Sequence, residues 1–202
     1  MMRIRMANPD LEVPTLLLAM PQVLDPFFNR SVVLLLHHTE EGSFGFIVNR
    51  PTEIHLADIL DSMEIHWEGS ADSLAYFGGP VQSQLGTVLF DQTEVEDFTP
   101  KSEEGISPVV AGIVISQQLE DLGRLAATPP RRFRLLLGYS GWGAGQLVSE
   151  IVRNDWLVAP VREEFLFADE PEEVWTQALE SVGVDPASLP SWTPDGSEEL
   201  TN

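Results

Sequence analysis

The sequence predicts a single α/β (α+β) domain, because short apolar runs typical of strands alternate with amphipathic segments typical of helices. A chain of 202 residues most often forms one domain, and it is long enough to bury about 70% of the surface that it exposes when unfolded. The clearest strand–loop–helix segment is residues 131–155, which we call the junction: an apolar strand is followed by a loop with four glycines and then by an amphipathic helix. We predict one domain over residues 1–189 and an acidic, disordered tail over residues 190–202.

Apolar runs bounded by turn residues predict the strands. Besides the junction strand, they cover residues 15–20, 31–38, 44–50, 74–77, 86–90, 105–115 and 156–158. The run 31–38 is rich in Val and Leu without alternation, as expected of a strand that is covered on both faces. The turn that follows it predicts a hairpin with the run 44–50, and Pro51 is expected to end that second strand.

Three segments predict helices from their caps and apolar stripes. Thr52 is expected to cap a helix that runs through Met63, and Ser116 is expected to cap a second helix. Asp169, with Glu172 three positions later, is expected to start a third helix. Residues 91–104 are acidic and poor in apolar side chains, which predicts an exposed excursion or a short hairpin.

The charge balance disfavours binding to nucleic acid or to an anionic membrane. Thirty-two acidic residues face 11 basic ones, which gives a formal net charge of −21, and such a field repels phosphate. Four arginines do gather near the start of the junction strand, where they predict a solvated edge: Arg124, Arg131, Arg132 and Arg134. The chain has no cysteine and no apolar run long enough to span a membrane, so we predict a soluble cytoplasmic protein.

The glycine-rich loop matches none of three familiar site motifs. A nucleophile elbow needs a glycine two residues after its serine, but Trp142 follows Ser140 at that position. A dinucleotide fingerprint would use Gly141 and Gly143, but Gln146 replaces its third glycine, and the lysine of a P-loop is missing. The favoured interpretation is structural, with glycines that allow close backbone approach and a tryptophan at the edge of the core. A ligand pocket at this loop stays open as the alternative.

The histidines predict neither a metal site nor a cofactor site. His37 and His38 are adjacent on a predicted strand, so their side chains point to opposite faces and cannot easily bind one metal ion. Either could join Asp25 or Glu40, but a half-buried structural histidine is the favoured interpretation. We therefore predict no metal and no cofactor.

Polar residues flank the two strands of the predicted hairpin. If the hairpin forms, Arg30 and Arg50 can converge on Asp25, with Asn49 beside them. A structural ion pair is the simpler interpretation, and a corner that binds a carboxylate or another anion is the alternative.

Three blocks of sequence together resemble the AlgH/YqgE family of bacterial proteins. They are LLLAMPQVLDPFFNRSVVLLLHH with FGFIVNRP, then YFGGPV, and then LGYSGWGAGQLVSEI followed by NDWL. The match runs from about residue 16 to residue 189. The resemblance implies a mixed sheet bent into a pseudo-barrel with helices packed outside. The family motifs imply these candidate binding residues: Asp25, Arg30, Asn49, Arg50, Pro51, Gly78, Gly79, Pro80, Gly141, Trp142, Gly143, Gly145 and Gln146.

The family is often labelled as transcriptional regulators, but it brings no agreed set of catalytic residues. We therefore predict a regulatory protein that acts indirectly, through a protein partner or a small molecule. One alternative is a ligand-binding protein or enzyme, with a pocket where residues 138–146 meet the corner at Asn49 and Arg50. The other is direct nucleic-acid binding through the arginine cluster. The sequence identifies no catalytic motif and leaves the oligomeric state open.

Overall fold

The fold is known from a computed structural model that describes residues 11–96, 98 and 106–190. These residues form one α+β domain, as predicted, built on a ten-stranded sheet that stays open. The expected pseudo-barrel is therefore not closed. Most of the predicted tail, and half of the acidic excursion over residues 91–104, lies outside the described residues.

The strands are β1 (Thr15–Ala19), β2 (Val32–Thr39), β3 (Gly42–Ile47), β4 (Pro51–His55), β5 (Leu74–Phe77), β6 (Val81–Asp91), β7 (Ile106–Val110), β8 (Ile113–Ser116), β9 (Phe133–Gly143) and β10 (Trp156–Ala159). The helices are α1 (Leu56–Ser62), α2 (Leu119–Ala127), α3 (Gln146–Val152), α4 (Glu163–Leu166) and α5 (Val174–Ser181). The main path of the sheet is β10-β1-β2-β3-β9-β6-β8-β7, with β4 and β5 off this path. Strand β9 is the hub, because it pairs antiparallel with β3 and β6 and parallel with β5.

Strand β1 and the first half of β2, residues 32–35, are buried on both faces, as their unbroken apolar sequence predicts. The second half of β2 reaches the surface, where His37 and Thr39 are exposed. Alternate side chains point to opposite faces, so Leu16 and Leu18 pack in the cluster that contains α5. Leu17 and Ala19 point to the other face and pack in the cluster that contains Trp142, Leu147 and Trp156. This second face carries α3 and the candidate site.

Two predicted helix starts were wrong. Residues Pro51–His55 form strand β4, where the Thr52 hydroxyl donates to the Ala75 carbonyl at 2.8 Å instead of capping a helix. Helix α5 begins at Val174 and not at Asp169, because Pro171 disfavours a helical backbone in the residue before it. Residues 170–173 therefore form a turn that precedes the helix.

Two further boundaries differ from the prediction. The run 105–115 was predicted to be one strand, but its described part, residues 106–115, belongs to a hairpin, β7–β8, which turns at Ala111 and Gly112 with positive φ values of 28° and 88°. The helix after Ser116 begins at Leu119, and Ser116 donates instead to the buried Asp121 carboxylate at 2.6 Å. In addition, β9 continues to Gly143, so the predicted glycine loop is mostly strand.

Candidate functional site

The glycines of the second and third motif blocks bring two backbones into direct contact. A Cβ atom on Gly79 would lie 2.2 Å from the Tyr139 carbonyl carbon, and one on Gly138 would lie 2.4 Å from the Gly79 carbonyl oxygen. A Cβ atom on Gly78 would lie 2.4 Å from the Gly138 carbonyl oxygen. Gly78 and Gly79 thus fix the position of β9, and they line none of the clefts described below.

Four candidate residues line one cleft, which we call the tryptophan cleft: Asp25, Gly141, Trp142 and Gln146. It has a volume of about 330 Å³ and lies between the loop after β1, the end of β9, α3 and the start of β10. The other lining residues are Gln22, Val23, Leu24, Phe28, Glu150, Arg153, Asp155 and Trp156.

Glu150 organises the aromatic floor of the tryptophan cleft. Its Oε2 atom accepts hydrogen bonds from the indole nitrogens of Trp142 and Trp156, each at 2.8 Å. Its Oε1 atom accepts from the Gln146 amide at 2.9 Å. The two indole rings lie edge to face with centroids 5.7 Å apart, and Phe28 packs edge-on to Trp156 at 5.8 Å. Because both indoles bond to a single carboxylate oxygen, the floor is held in one geometry.

The remaining motif glycines lie beside the two indoles, at the end of β9 and the start of α3. The Gly143 amide donates to the Gln146 side-chain oxygen at 3.0 Å, which fixes Gln146 against the end of β9. Gly145 precedes α3 with a φ of 70°, a conformation that favours glycine. The nearest atom to a Cβ on Gly141 would be 3.4 Å away, on the Tyr139 ring, so a Cβ atom would fit there in ordinary van der Waals contact.

Arg50 stabilises the loop after β1, which forms one wall of the tryptophan cleft. Its guanidinium donates to the carbonyls of Pro26, Phe27 and Asn29 at 2.7–2.8 Å. Burial lowers the pKa of Arg50, and the nearby Asp25 carboxylate opposes that shift. The predicted ion pair does not form, because Arg50 bonds to the backbone of the loop and Asp25 accepts the Phe27 amide at 2.8 Å.

Asn49 and Arg30 also lie outside the cleft. The Asn49 side chain accepts the Val32 amide at 2.8 Å and donates to the Arg30 carbonyl at 3.0 Å. The Arg30 guanidinium lies 5.5 Å from the centre of the Trp175 ring. Neither the tryptophan cleft nor the cleft described next is lined by both residues 138–146 and the Asn49–Arg50 corner, because Arg50 bonds to the loop after β1 and that loop forms the wall.

The opposite side of β9 carries a larger and more open concavity of about 620 Å³, which we call the histidine cleft. It shares Gly141 and Trp142 with the tryptophan cleft, and it is otherwise lined by His37, Thr39, Glu41, Gly42, Ser43, Phe44, Val81, Leu85, Gln117 and Tyr139. The exposed His37 ring stacks on Phe44 with centroids 5.6 Å apart. Despite its size, this cleft contains no other candidate residue.

His38 is partly buried next to the histidine cleft, with Nδ1 2.7 Å from the Ser43 hydroxyl. Burial lowers the pKa of His38 from its usual value of 6.5, and the neighbouring His37 lowers it further. Between that lowered pKa and 6.5 the unfolded chain binds more protons than the folded chain. The stabilising effect of neutral His38 is therefore present above pH 6.5 and is lost as the pH falls toward the lowered pKa.

We expect the free energy of unfolding to decrease less between pH 7.5 and pH 5.5 in His38→Gln than in the wild type, as measured by urea unfolding. His66→Gln is the matched control, because the His66 side chain is 83% exposed beside Glu68. A His38 variant with the wild-type pH dependence would show that His38 is not the titrating group.

The charges of the tryptophan cleft are mainly negative. Asp25, Glu150 and Asp155 bring three carboxylates to the lining. The Arg153 guanidinium donates to Asp155 at 2.7 and 3.1 Å, and this bond raises the pKa of Arg153. The single cation of the lining is thus already paired within the protein.

The four arginines that were predicted to form a solvated edge do not all face solvent, and they form no common basic surface. Arg134 is buried, and Arg124 lies over the Phe98 ring at 5.2 Å. Arg132 contacts three carboxylates, those of Asp91, Glu94 and Glu163.

Sequence reasoning missed three important residues of the tryptophan cleft: Glu150, Trp156 and Asp155. Glu150 lies four residues after Gln146 and hence on the same face of α3, a spacing that offered one signal. Asp155 and Trp156 belong to the NDWL block, which carried the family resemblance without any assigned role.

Comparison with known proteins gives a consistent result. An AlgH-like family model matches residues 16–187. A UPF0301 protein of Myxococcus xanthus is 41% identical over 177 residues, covering 87% of this chain and 93% of its own length. A second UPF0301 protein, from Cupriavidus pinatubonensis, is 38% identical over 171 residues, covering 84% of this chain and 87% of its own length.

Two solved structures share the fold. The solution structure of the AlgH protein from Pseudomonas aeruginosa superposes with a TM-score of 0.68 and 32% identity, over 85% of this chain and 88% of that one. A crystal structure from Corynebacterium diphtheriae has a TM-score of 0.66 over 83% and 85% of the two chains, and its 21% identity supports the fold alone. Among the described residues, no helix is long and apolar enough to cross a membrane.

Proposed function

This chain belongs to the AlgH-like family, and from that premise we propose that it is a regulatory protein that binds a small organic cation in the tryptophan cleft. The observation that carries the proposal is one concave surface on which the motif residues Asp25, Gly141, Trp142 and Gln146 meet two further carboxylates and a second indole, those of Glu150, Asp155 and Trp156. Occupancy of the cleft would then be sensed by a protein partner.

The chemistry of the lining favours a cation over other ligands. Indole faces attract ammonium groups through their quadrupole, and carboxylates attract them by charge. Because Arg153 already bonds to Asp155, the cleft offers no free guanidinium to a phosphate or a carboxylate. The anion-binding alternative is therefore less favourable than cation binding.

The side chains of the tryptophan cleft favour binding over catalysis. The lining contains no serine, threonine, tyrosine, histidine or lysine, so carboxylates are the only side chains there that could serve as nucleophiles. Asp25 already accepts the Phe27 amide, and Asp155 already accepts from Arg153. Glu150 already accepts three hydrogen bonds, so its carboxylate is poorly placed to remove a proton from a ligand.

Direct nucleic-acid binding has less support than the regulatory proposal. The arginines that would contact phosphates are buried, stacked or paired with carboxylates, with Arg131 left exposed at the surface. Of the four arginines, Arg124 and Arg131 are exposed, and two exposed arginines on a chain of net charge −21 are too few for the multiple phosphate contacts that give measurable affinity.

Choline tests the proposal, with its neutral isostere 3,3-dimethylbutan-1-ol as the ligand control. We expect choline to change the intrinsic tryptophan fluorescence saturably, and Asp25→Asn to weaken its binding about fivefold, since about 1 kcal/mol of charge attraction is lost. The asparagine oxygen can still accept the Phe27 amide, so the wall keeps its shape. Asp58→Asn, on the exposed surface of α1, is the matched control. Equal binding of the neutral isostere, or equal weakening by Asp58→Asn, would contradict the proposal.

A further inference from the structure

A second surface feature lies away from the tryptophan cleft, in the groove between α1 and α2, which we call the helix groove. It has a volume of about 230 Å³, and strands β6 and β9 form its floor. Its lining is mainly apolar: Ile59, Met63, Leu85, Gly86, Val88, Leu119, Leu122, Leu135 and Leu137, with Gln84, Ser116, Gln117 and Gln118 as the polar members.

The rims of the helix groove expose large apolar side chains. Leu119, at the start of α2, is 59% exposed, and Met63, just after α1, is 43% exposed. Below them, Val88 and Leu122 are buried in a core cluster with α1, so the floor is rigid. The groove also shares Leu85 and Gln117 with the histidine cleft, which extends the concave surface beyond the two helices. An apolar groove flanked by exposed Leu and Met is typical of a surface that binds the apolar face of a partner protein segment.

The charged side chains on the α1 side of the helix groove are all acidic. Residues 51–73, which include β4 and α1, contain six carboxylates and neither lysine nor arginine. Asp58, Asp61 and Glu64 are exposed on or just after α1, next to the lining residues Ile59 and Met63. A second copy of this chain, with net charge −21, would meet this wall with charge of the same sign.

We propose that the helix groove docks a basic amphipathic segment of a partner protein. Leucine-like side chains of that segment would enter the groove beside Leu119 and Met63, while its lysines or arginines would face the carboxylates of α1. This docking uses residues that are separate from the tryptophan cleft, so it can be tested independently of cation binding.

The test uses a fluorescein-labelled amphipathic peptide of leucine and lysine in helical spacing, together with its counterpart in which every lysine is glutamate. Fluorescence anisotropy with the full chain at physiological ionic strength measures the affinity for each peptide. We expect saturable binding of the lysine peptide and a loss of about tenfold or more in Leu119→Ser, because one large apolar contact is removed. Val152→Ser is the matched control, since Val152 is an apolar residue of α3 that is 66% exposed.

The proposal is supported if the lysine peptide binds, Leu119→Ser weakens it, Val152→Ser leaves it unchanged and the glutamate peptide does not bind. Equal affinity of Leu119→Ser and the wild type would overturn it, because binding would then be general charge attraction. A wild-type dimer in light scattering that Leu119→Ser converts to a monomer would also overturn it, since a second copy would then fill the groove. Urea unfolding of Leu119→Ser checks that the variant folds, and Met63→Ser provides a second test from the α1 side.

Discussion

Gly79→Ala is expected to destabilise the domain by about 3 kcal/mol, measured as the free energy of unfolding in urea. The added Cβ atom would lie 2.2 and 2.3 Å from the carbonyl carbon and oxygen of Tyr139 and 2.4 Å from the Ser140 nitrogen. All three atoms are backbone atoms of the hub strand β9, so no side chain can rotate away to make room. The φ of +151° at Gly79 adds backbone strain for any residue that carries a Cβ atom.

Gly123→Ala is the matched control for this substitution. Gly123 lies inside α2, and a Cβ atom there would have no neighbour within 4 Å. Alanine favours a helix over glycine, so we expect a gain of about 0.5–1 kcal/mol. The opposite signs of the two results would show that Gly79 is required for backbone contact with β9. A Gly79→Ala variant as stable as the wild type would contradict the described contact of this residue with β9.

Arg134→Met is expected to cost about 2–4 kcal/mol, the second large effect. The Arg134 side chain is buried with 5% of its surface exposed, and its guanidinium donates to the carbonyls of Val48 and Ala168. It also lies 4.1 Å from the centre of the Tyr76 ring. Methionine fills similar space but leaves both carbonyls without their donor. Burial lowers the pKa of Arg134, yet an arginine stays charged at neutral pH, so the carbonyls and the ring stabilise a true cation.

The neighbouring Arg131→Met serves as the control, because Arg131 is exposed. Removal of an exposed cation is expected to change the free energy of unfolding by no more than about 0.5 kcal/mol. If both variants lost the same free energy of unfolding, the cause would be the change of net charge. The hydrogen bonds of Arg134 would then not contribute to stability.

The strands of this fold could be predicted from sequence better than the helix starts. The run 32–36 is apolar throughout, and the burial of residues 32–35 on both faces follows directly from that pattern. Thr52 and Asp169 have good capping side chains, but capping is a local preference that pairing with β5 and the turn at Pro171 override. The sequence pattern also could not predict whether the sheet is open or closed, because closure depends on pairing between strands that are distant in the chain.

The candidate site was predictable only in part. The motif blocks singled out Asp25, Trp142 and Gln146, and the structure brings these three residues together in the tryptophan cleft. The role of Arg50 could not be inferred, because its partners are backbone carbonyls. Every residue has a backbone carbonyl, so the sequence does not show which ones Arg50 binds. Glu150 was missed for a related reason: one carboxylate that serves two indoles from separate strands exists only after the chain has folded.

The most direct measurement of cation binding follows the indole N–H resonances in a proton–nitrogen NMR titration with choline. We expect the Trp142 and Trp156 signals to move, because both groups donate to Glu150 within the tryptophan cleft. The Trp67 and Trp175 signals should stay in place, because these indoles donate to the backbone carbonyls of Ser70 and Ala19 outside the cleft. Unchanged signals of Trp142 and Trp156, or equal shifts with 3,3-dimethylbutan-1-ol, would contradict the assignment of the tryptophan cleft as a site for a small organic cation.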